Sequence, residues 1–189
     1  MSCYWLIPGC QSVKPSYRYA PYYCEENIWH LCQETDFAAF ERKVVLISND
    51  TRTCALWNQR ARPAQDEPVI WDYHVILLYK NHGWQVYDLD TVIGAPVPFE
   101  QYVELTFGDI QIPEEFLPKF RVLDADEFVS VFSSDRSHML TADGQWQVPP
   151  PPWAAIVRNE QSNLMQLIDM NRETFGRVIN LPQFRAEFG

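Results

Sequence analysis

The chain has 189 residues, with 15 basic and 25 acidic side chains and a formal charge of −10. That length suits one domain, and with 47% hydrophobic and 14% aromatic residues it has ample material for a core, which argues against intrinsic disorder for most of the chain. A phosphate backbone would be repelled by this charge, and no run of Lys and Arg offsets it, so nucleic-acid binding is disfavoured.

The first 20 residues are interrupted by Pro8, Gly9, Pro15 and Ser16 and read as an irregular arm to a single catalytic domain over residues 1–189. The short apolar run "MSCYWLIPGC" lacks a basic flank, and no stretch approaches the ~20 apolar residues that span a bilayer. Five cysteines occur (Cys3, Cys10, Cys24, Cys32, Cys54), none in a CxxC spacing. This pattern points to a reduced compartment, the cytoplasm and with it the nucleus, where a cysteine is catalytic or buried rather than bridged.

From Cys24, the residues Ile28, Leu31 and Cys32 fall at i+4, i+7 and i+8. That spacing predicts a helix fading near Asp36, with Glu25 and Glu26 as first-turn acids. "KVVLIS" (43–48) and "TCALWN" (53–58) read as strands around Asn49 and Asp50. "VIWDYHVILLY" (69–79) reads as a long apolar strand, "KNHG" (80–83) as a turn and "WQVYDLDTV" (84–92) as the return strand. Residues 124–135 read as a short helix capped by Asp124. "QVPPPPW" (147–153) is extended, and "LPQFRAEF" (181–188) is a final helix with Pro182 in its first turn. The class is α+β.

The chemistry-bearing residues follow from these positions. A thiol at a helix start feels the positive end of the dipole and free N–H groups, which lowers its pKa, while Glu25 and Glu26 oppose that effect. Of the four histidines, His74 interrupts an apolar strand and needs partners there. If the hairpin pairs Lys80 with Trp84, His74 lies opposite Asp90 and diagonal to Asp88. Hairpin geometry therefore makes a His–Asp pair and leaves both aspartates open. A thiol, an imidazole and a carboxylate in this layout suit nucleophilic acyl transfer.

The blocks "YCEENIW" (23–29), "ARPAQDEPVIWDYHV" (61–75), "YDLDT" (87–91), "FRVLDADEF" (120–128), "SDRSHM" (134–139), "PPPPW" (149–153) and "NLPQFRAEFG" (180–189) together resemble the protein N-terminal glutamine amidohydrolase family. The resemblance implies a papain/transglutaminase-like cysteine hydrolase fold, an antiparallel sheet with the nucleophile at a helix N-terminus. It implies Cys24 as nucleophile, His74 as base and Asp88 as orienting acid. It also implies conversion of an N-terminal glutamine of proteins and peptides to glutamate with release of ammonia, feeding the N-degron route. No metal or organic cofactor is expected, in keeping with the lack of HExxH, GxGxxG or P-loop patterns. The expected partners are peptide or protein substrates, with no membrane or nucleic acid, and the chain is expected to be a monomer. Binding the substrate's α-ammonium calls for an acid in the cleft, and Glu25, Asp72, Asp90 and Asp135 are the candidates. Arg136 and His138 are expected in structural roles. The rival readings are another papain-like thiol acyltransferase or protease, and a non-catalytic module that binds N-termini.

Overall fold

In the computed structural model, residues 17–108 and 111–189 are described. A six-stranded antiparallel sheet forms the centre. Its strands are β1 (Arg42–Ser48), β4 (His74–Lys80), β5 (Trp84–Tyr87), β6 (Val97–Pro98), β7 (Lys119–Asp124) and β8 (Arg177–Asn180), in the order β6-β5-β4-β1-β7-β8. Two short strands, β2 (Cys54–Leu56) and β3 (Val69–Trp71), pair separately. The class is α+β, and all strand pairs are antiparallel.

The two middle strands of the sheet, β1 and β4, are buried on both faces. That is why "KVVLIS" and "HVILLY" are continuous apolar runs rather than alternating ones. On one face Val44, Leu46, Val75 and Leu77 pack against α1 (Cys24–Leu31) and α3 (Ala125–Val131). On the other, Val45, Ile47, Ile76 and Leu78 pack against α2 (Phe99–Phe107) and α5 (Leu181–Phe188). A short fourth helix, α4 (Leu164–Leu167), adds Leu164 and Leu167 to the α1 side.

Several expectations change. The strand expected over 69–79 is two strands, because the chain turns at Asp72 and Tyr73 and β3 leaves to pair with β2. β2 does not form a hairpin with β1, whose neighbours are β4 and β7. The return strand ends at Tyr87 instead of Val92. α1 stops at Leu31 and resumes only as a 3-10 turn, Thr35–Phe37. α3 stops at Val131 because Phe132 is extended, with ψ 133°. Asp124 precedes α3 without a side-chain cap bond, its carboxylate instead binding Lys43 Nζ at 2.7 Å. α2 and β7 are absent from the sequence-based expectations. α5 matches expectation and also has a capping box from Asn180 and Gln183, whereas the proline run expected to be extended over 147–153 belongs to no strand and bends at Gln147, Val148, Pro152 and Trp153. Of the irregular arm expected over residues 1–20, residues 17–20 are irregular and the rest lies outside the described residues. Among the described residues no helix is long and apolar enough to cross a membrane.

Arg121 on β7 is fully buried and donates to four backbone carbonyls, those of Leu167, Asp169, Arg172 and Phe175, at 2.5–2.6 Å. It pins the segment between α4 and β8 to the sheet. Arg121→Met fills similar volume but strands those carbonyls, and is expected to cost about 3 kcal/mol or more. Urea unfolding followed by circular dichroism measures it.

Candidate active site

The hairpin of β4 and β5 has the register Lys80↔Trp84 through Leu77↔Tyr87. β5 then ends, and the chain bends through Asp88, Leu89 and Asp90. The strict alternation of a strand no longer applies there, and Asp88 is the residue that reaches His74. His74 Nε2 and Asp88 Oδ1 are 2.9 Å apart, and both side chains are buried. The same Oδ1 accepts the Asp90 N–H at 2.9 Å. Oδ2 accepts Gln59 Nε2 at 3.0 Å and the Tyr102 hydroxyl at 2.8 Å.

Asp88 thus takes four donors. Burial disfavours its charge, but His74 and these donors outweigh burial and hold the carboxyl below its ordinary value. Burial likewise opposes a charged His74 ring, yet Asp88, then Asp90 and Glu25, raise it above the ordinary imidazole value. The His74 Nδ1 is buried without a hydrogen-bond partner. Donor atoms of His74, Asp88 and Asp90 lie within 4.8 Å of one another. That is close enough for a metal, but the Asp88 oxygens and His74 Nε2 are already committed to protein donors and to each other. The cluster fits an orienting carboxylate better than a ligand set.

Cys24 is the first residue of α1 and almost wholly buried. The side chain of Asn27 clamps the preceding chain, bonding both the N–H and the carbonyl of Ala20 at 2.8 Å. No side chain of the N-cap residue Tyr23 caps the helix start, and of the first N–H groups that of Glu25 is engaged by its own carboxyl. The backbone of Val75, the residue after His74, hydrogen-bonds the Cys24 sulfur. The expected lowering of the thiol pKa does not hold. Burial above all, then Glu25, Asp90 and Asp72, push it up, with Val75 the opposing influence. A resting thiolate is disfavoured, so attack needs a base.

A cleft of about 590 Å3 opens over Cys24, with Tyr22, Trp71, Asp72, Tyr73, His138 and Arg52 among its walls. Trp71 lies nearly parallel to the His74 ring, centroids 5.7 Å apart, and Tyr22 packs edge-on against Trp71.

The four candidate acids separate. Asp72 is exposed and lines the cleft, and its Oδ1 accepts the Tyr73 N–H. Glu25 is fully buried beneath the cleft, 3.7 Å from the Cys24 sulfur. Asp90 is buried behind His74 and accepts the Tyr19 hydroxyl at 2.6 Å. Asp135 is exposed and accepts the Ser137 N–H, outside the cleft lining. Glu26, read as a first-turn charge, is buried in a bidentate pair with Arg136 at 2.7 and 2.8 Å, with Trp153 Nε1 at 2.6 Å. Arg136 therefore has the structural role expected of it. His138 bonds Tyr73 and also lines the cleft. Gln59, Tyr102 and Trp71 complete the histidine's surroundings, and the sequence alone does not single them out. For Tyr102 a signal exists: Phe99, Tyr102, Val103, Thr106 and Phe107 recur at helical spacing, and a tyrosine on such a buried face needs a hydroxyl partner.

Comparison with known proteins shows which family the chain resembles. The family model described as N-terminal glutamine amidase matches residues 19–188. A protein N-terminal glutamine amidohydrolase of Bos taurus is 45% identical over 175 residues, covering 88% of this chain and 84% of that protein. The Homo sapiens protein of that name is 43% identical over 180 residues, 90% and 87% of the two chains, and the Caenorhabditis briggsae one 43% over 162 residues, 82% and 86%. On the match of the family model over nearly its whole length and on these identities, the chain belongs to the N-terminal glutamine amidase family.

Proposed function

We propose that this protein hydrolyses the side-chain amide of an N-terminal glutamine in proteins and peptides, through a thioester on Cys24 in a papain/transglutaminase-like cysteine hydrolase arrangement. The observation that carries this is the buried His74–Asp88 pair with an unpartnered His74 Nδ1, next to a thiol on the adjoining helix start.

His74 takes the Cys24 proton as the sulfur attacks the carboxamide carbon. The first N–H groups of α1 other than that of Glu25 receive the oxyanion. His74 then gives its proton to the departing nitrogen, and ammonia leaves. Water adds to the thioester with His74 again as base, and the thiol and the glutamate side chain are released. Asp88 holds the ring so that Nδ1 faces the sulfur and steadies the imidazolium.

The α-ammonium is received by Asp72, the one acid among the described residues that line the cleft. Arg136 and His138 then take no direct part in acid–base transfer. The product glutamate suits a degradation route that reads N-terminal acids, and a cytoplasmic and nuclear setting suits such a role.

Paired peptides test the reading, one beginning with glutamine and one with the same glutamine internal, followed by mass spectrometry and ammonia release. Conversion of the first alone is expected. Conversion of both would remove the N-terminal specificity. Cross-linking to an amine would favour the acyltransferase rival, and conversion of neither the binding module.

A further inference from the structure

The catalytic reading leaves one buried ionisable group beside the nucleophile unexplained. Glu25 is fully buried. Its Oε2 lies 3.7 Å from the Cys24 sulfur, and its Oε1 is buried with no hydrogen-bond partner, with His138 Nε2 3.6 Å away. A carboxylate with an unsatisfied buried oxygen is expensive, and a neutral carboxyl is much less so.

The groups facing Glu25 come from three elements. On its own helix are the Cys24 thiol and Glu26, whose charge is matched by Arg136. From the turn before β4 come Tyr73 and, at its start, His74; from the 3-10 turn Ser137–Met139 comes His138. Among the described residues no lysine or arginine lies within ion-pair distance of Glu25, although Arg136, bound to Glu26, is close enough to feel its charge.

Resting on Cys24 as the nucleophile, we propose that Glu25 is a positioning residue for that thiol: as a neutral carboxyl it donates a hydrogen bond to the sulfur as the thiolate forms, and as a carboxylate it withholds the thiolate by repulsion. Burial pushes the Glu25 carboxyl up to about 7, with its own backbone N–H, the Tyr73 hydroxyl and Cys24 opposing and Glu26 adding to it. The group therefore changes charge near neutral pH. The sign follows: below that value the carboxyl is neutral and supports the thiolate, and above it ionisation raises the thiol further. The deamidation rate is thus expected to gain less from rising pH than a lone thiol and histidine would allow.

Iodoacetamide alkylation, read on the tryptic peptide containing Cys24 from about pH 5 to about pH 10, reports thiolate without requiring any substrate turnover. In the wild type the curve is expected to show an inflection from Glu25 beside those from His74 and the thiol. In Glu25→Gln, which keeps the shape and the donor but not the charge, the Glu25 inflection is expected to be lost and the thiol inflection to fall at lower pH, with alkylation about tenfold faster at mildly alkaline pH, equivalent to one pKa unit. Deamidation by Glu25→Gln should likewise keep rising where the wild type levels off. Superimposable alkylation curves would overturn the proposal, and so would a wild-type curve with no inflection beside those from His74 and the thiol, a result that needs no variant to fold. If no N-terminal glutamine were converted yet the alkylation curves differed as stated, the functional reading would fail and the Glu25–Cys24 coupling would stand.

Discussion

Cys24→Ala is expected to lower kcat/KM for an N-terminal glutamine peptide by about 10^4-fold or more, because nothing else in the cleft can form the acyl intermediate. Among the described residues no other thiol can take its place: Cys32 caps the far end of α1 and is buried in the core, and Cys54 is buried on the opposite face of the sheet. The loss should be catalytic rather than structural. Cys24 contributes a small side chain at a helix start, and its removal is expected to cost about 1 kcal/mol, measurable as a small shift in thermal melting. Cys24→Ser should be nearly as inactive, since a hydroxyl is a far weaker acid than a thiol already pushed up by burial and three acids. Ammonia release and melting measured on the same preparations separate the two effects. Activity within about tenfold of the wild type in either variant would sink the thioester mechanism while leaving family membership untouched.

What could be read in the sequence was local. The i, i+4, i+7 pattern from Cys24 places the thiol at a helix start, and the short turn at Asn81 and His82 sets a register that brings His74 to the aspartates. Pro182 and the apolar spacing after it mark α5. The parts that could not be read depend on distant partners. Hairpin register alone leaves Asp88 and Asp90 open, and the structure separates them because β5 ends at Tyr87 and because Gln59 and Tyr102 converge on Asp88. Glu25 and Glu26 look like ordinary solvated first-turn acids. They are buried because Arg136, His138 and Trp153, more than a hundred residues away, close over α1. The thiol's pKa also moves opposite to the dipole argument: burial first, then Glu25, Asp90 and Asp72, outweigh a helix end.

Asp88→Asn is expected to lower kcat by about 10^4-fold, as loss of an orienting carboxylate does in comparable triads. The geometry gives the reason. Four donors converge on Asp88, and an amide offers one oxygen and two further N–H groups to them. If the amide nitrogen faces His74, the ring meets it by carrying its proton on Nδ1, the nitrogen proposed to take the thiol proton, and in that tautomer it cannot accept it. The same change leaves a buried donor against a donor, which is expected to cost about 1–3 kcal/mol of stability.

A pH profile distinguishes this from simple damage. In the wild type the neutral His74 needed as base appears only as pH rises through its raised pKa, so the acid limb of kcat/KM lies above the ordinary imidazole value of about 6.5. Burial alone pulls the ring the other way, and Asp88 is the largest cause of the rise. In Asp88→Asn the residual activity should therefore show its acid limb at lower pH. Asp90→Asn, which keeps the His74–Asp88 bond and removes only a secondary charge held by Tyr19, should move the limb in the same direction by less and cost about tenfold or less in rate. Equal losses in the two variants would mean that the pair of aspartates acts as one charge on His74, and that the hydrogen bond to Asp88 is not what orients the ring.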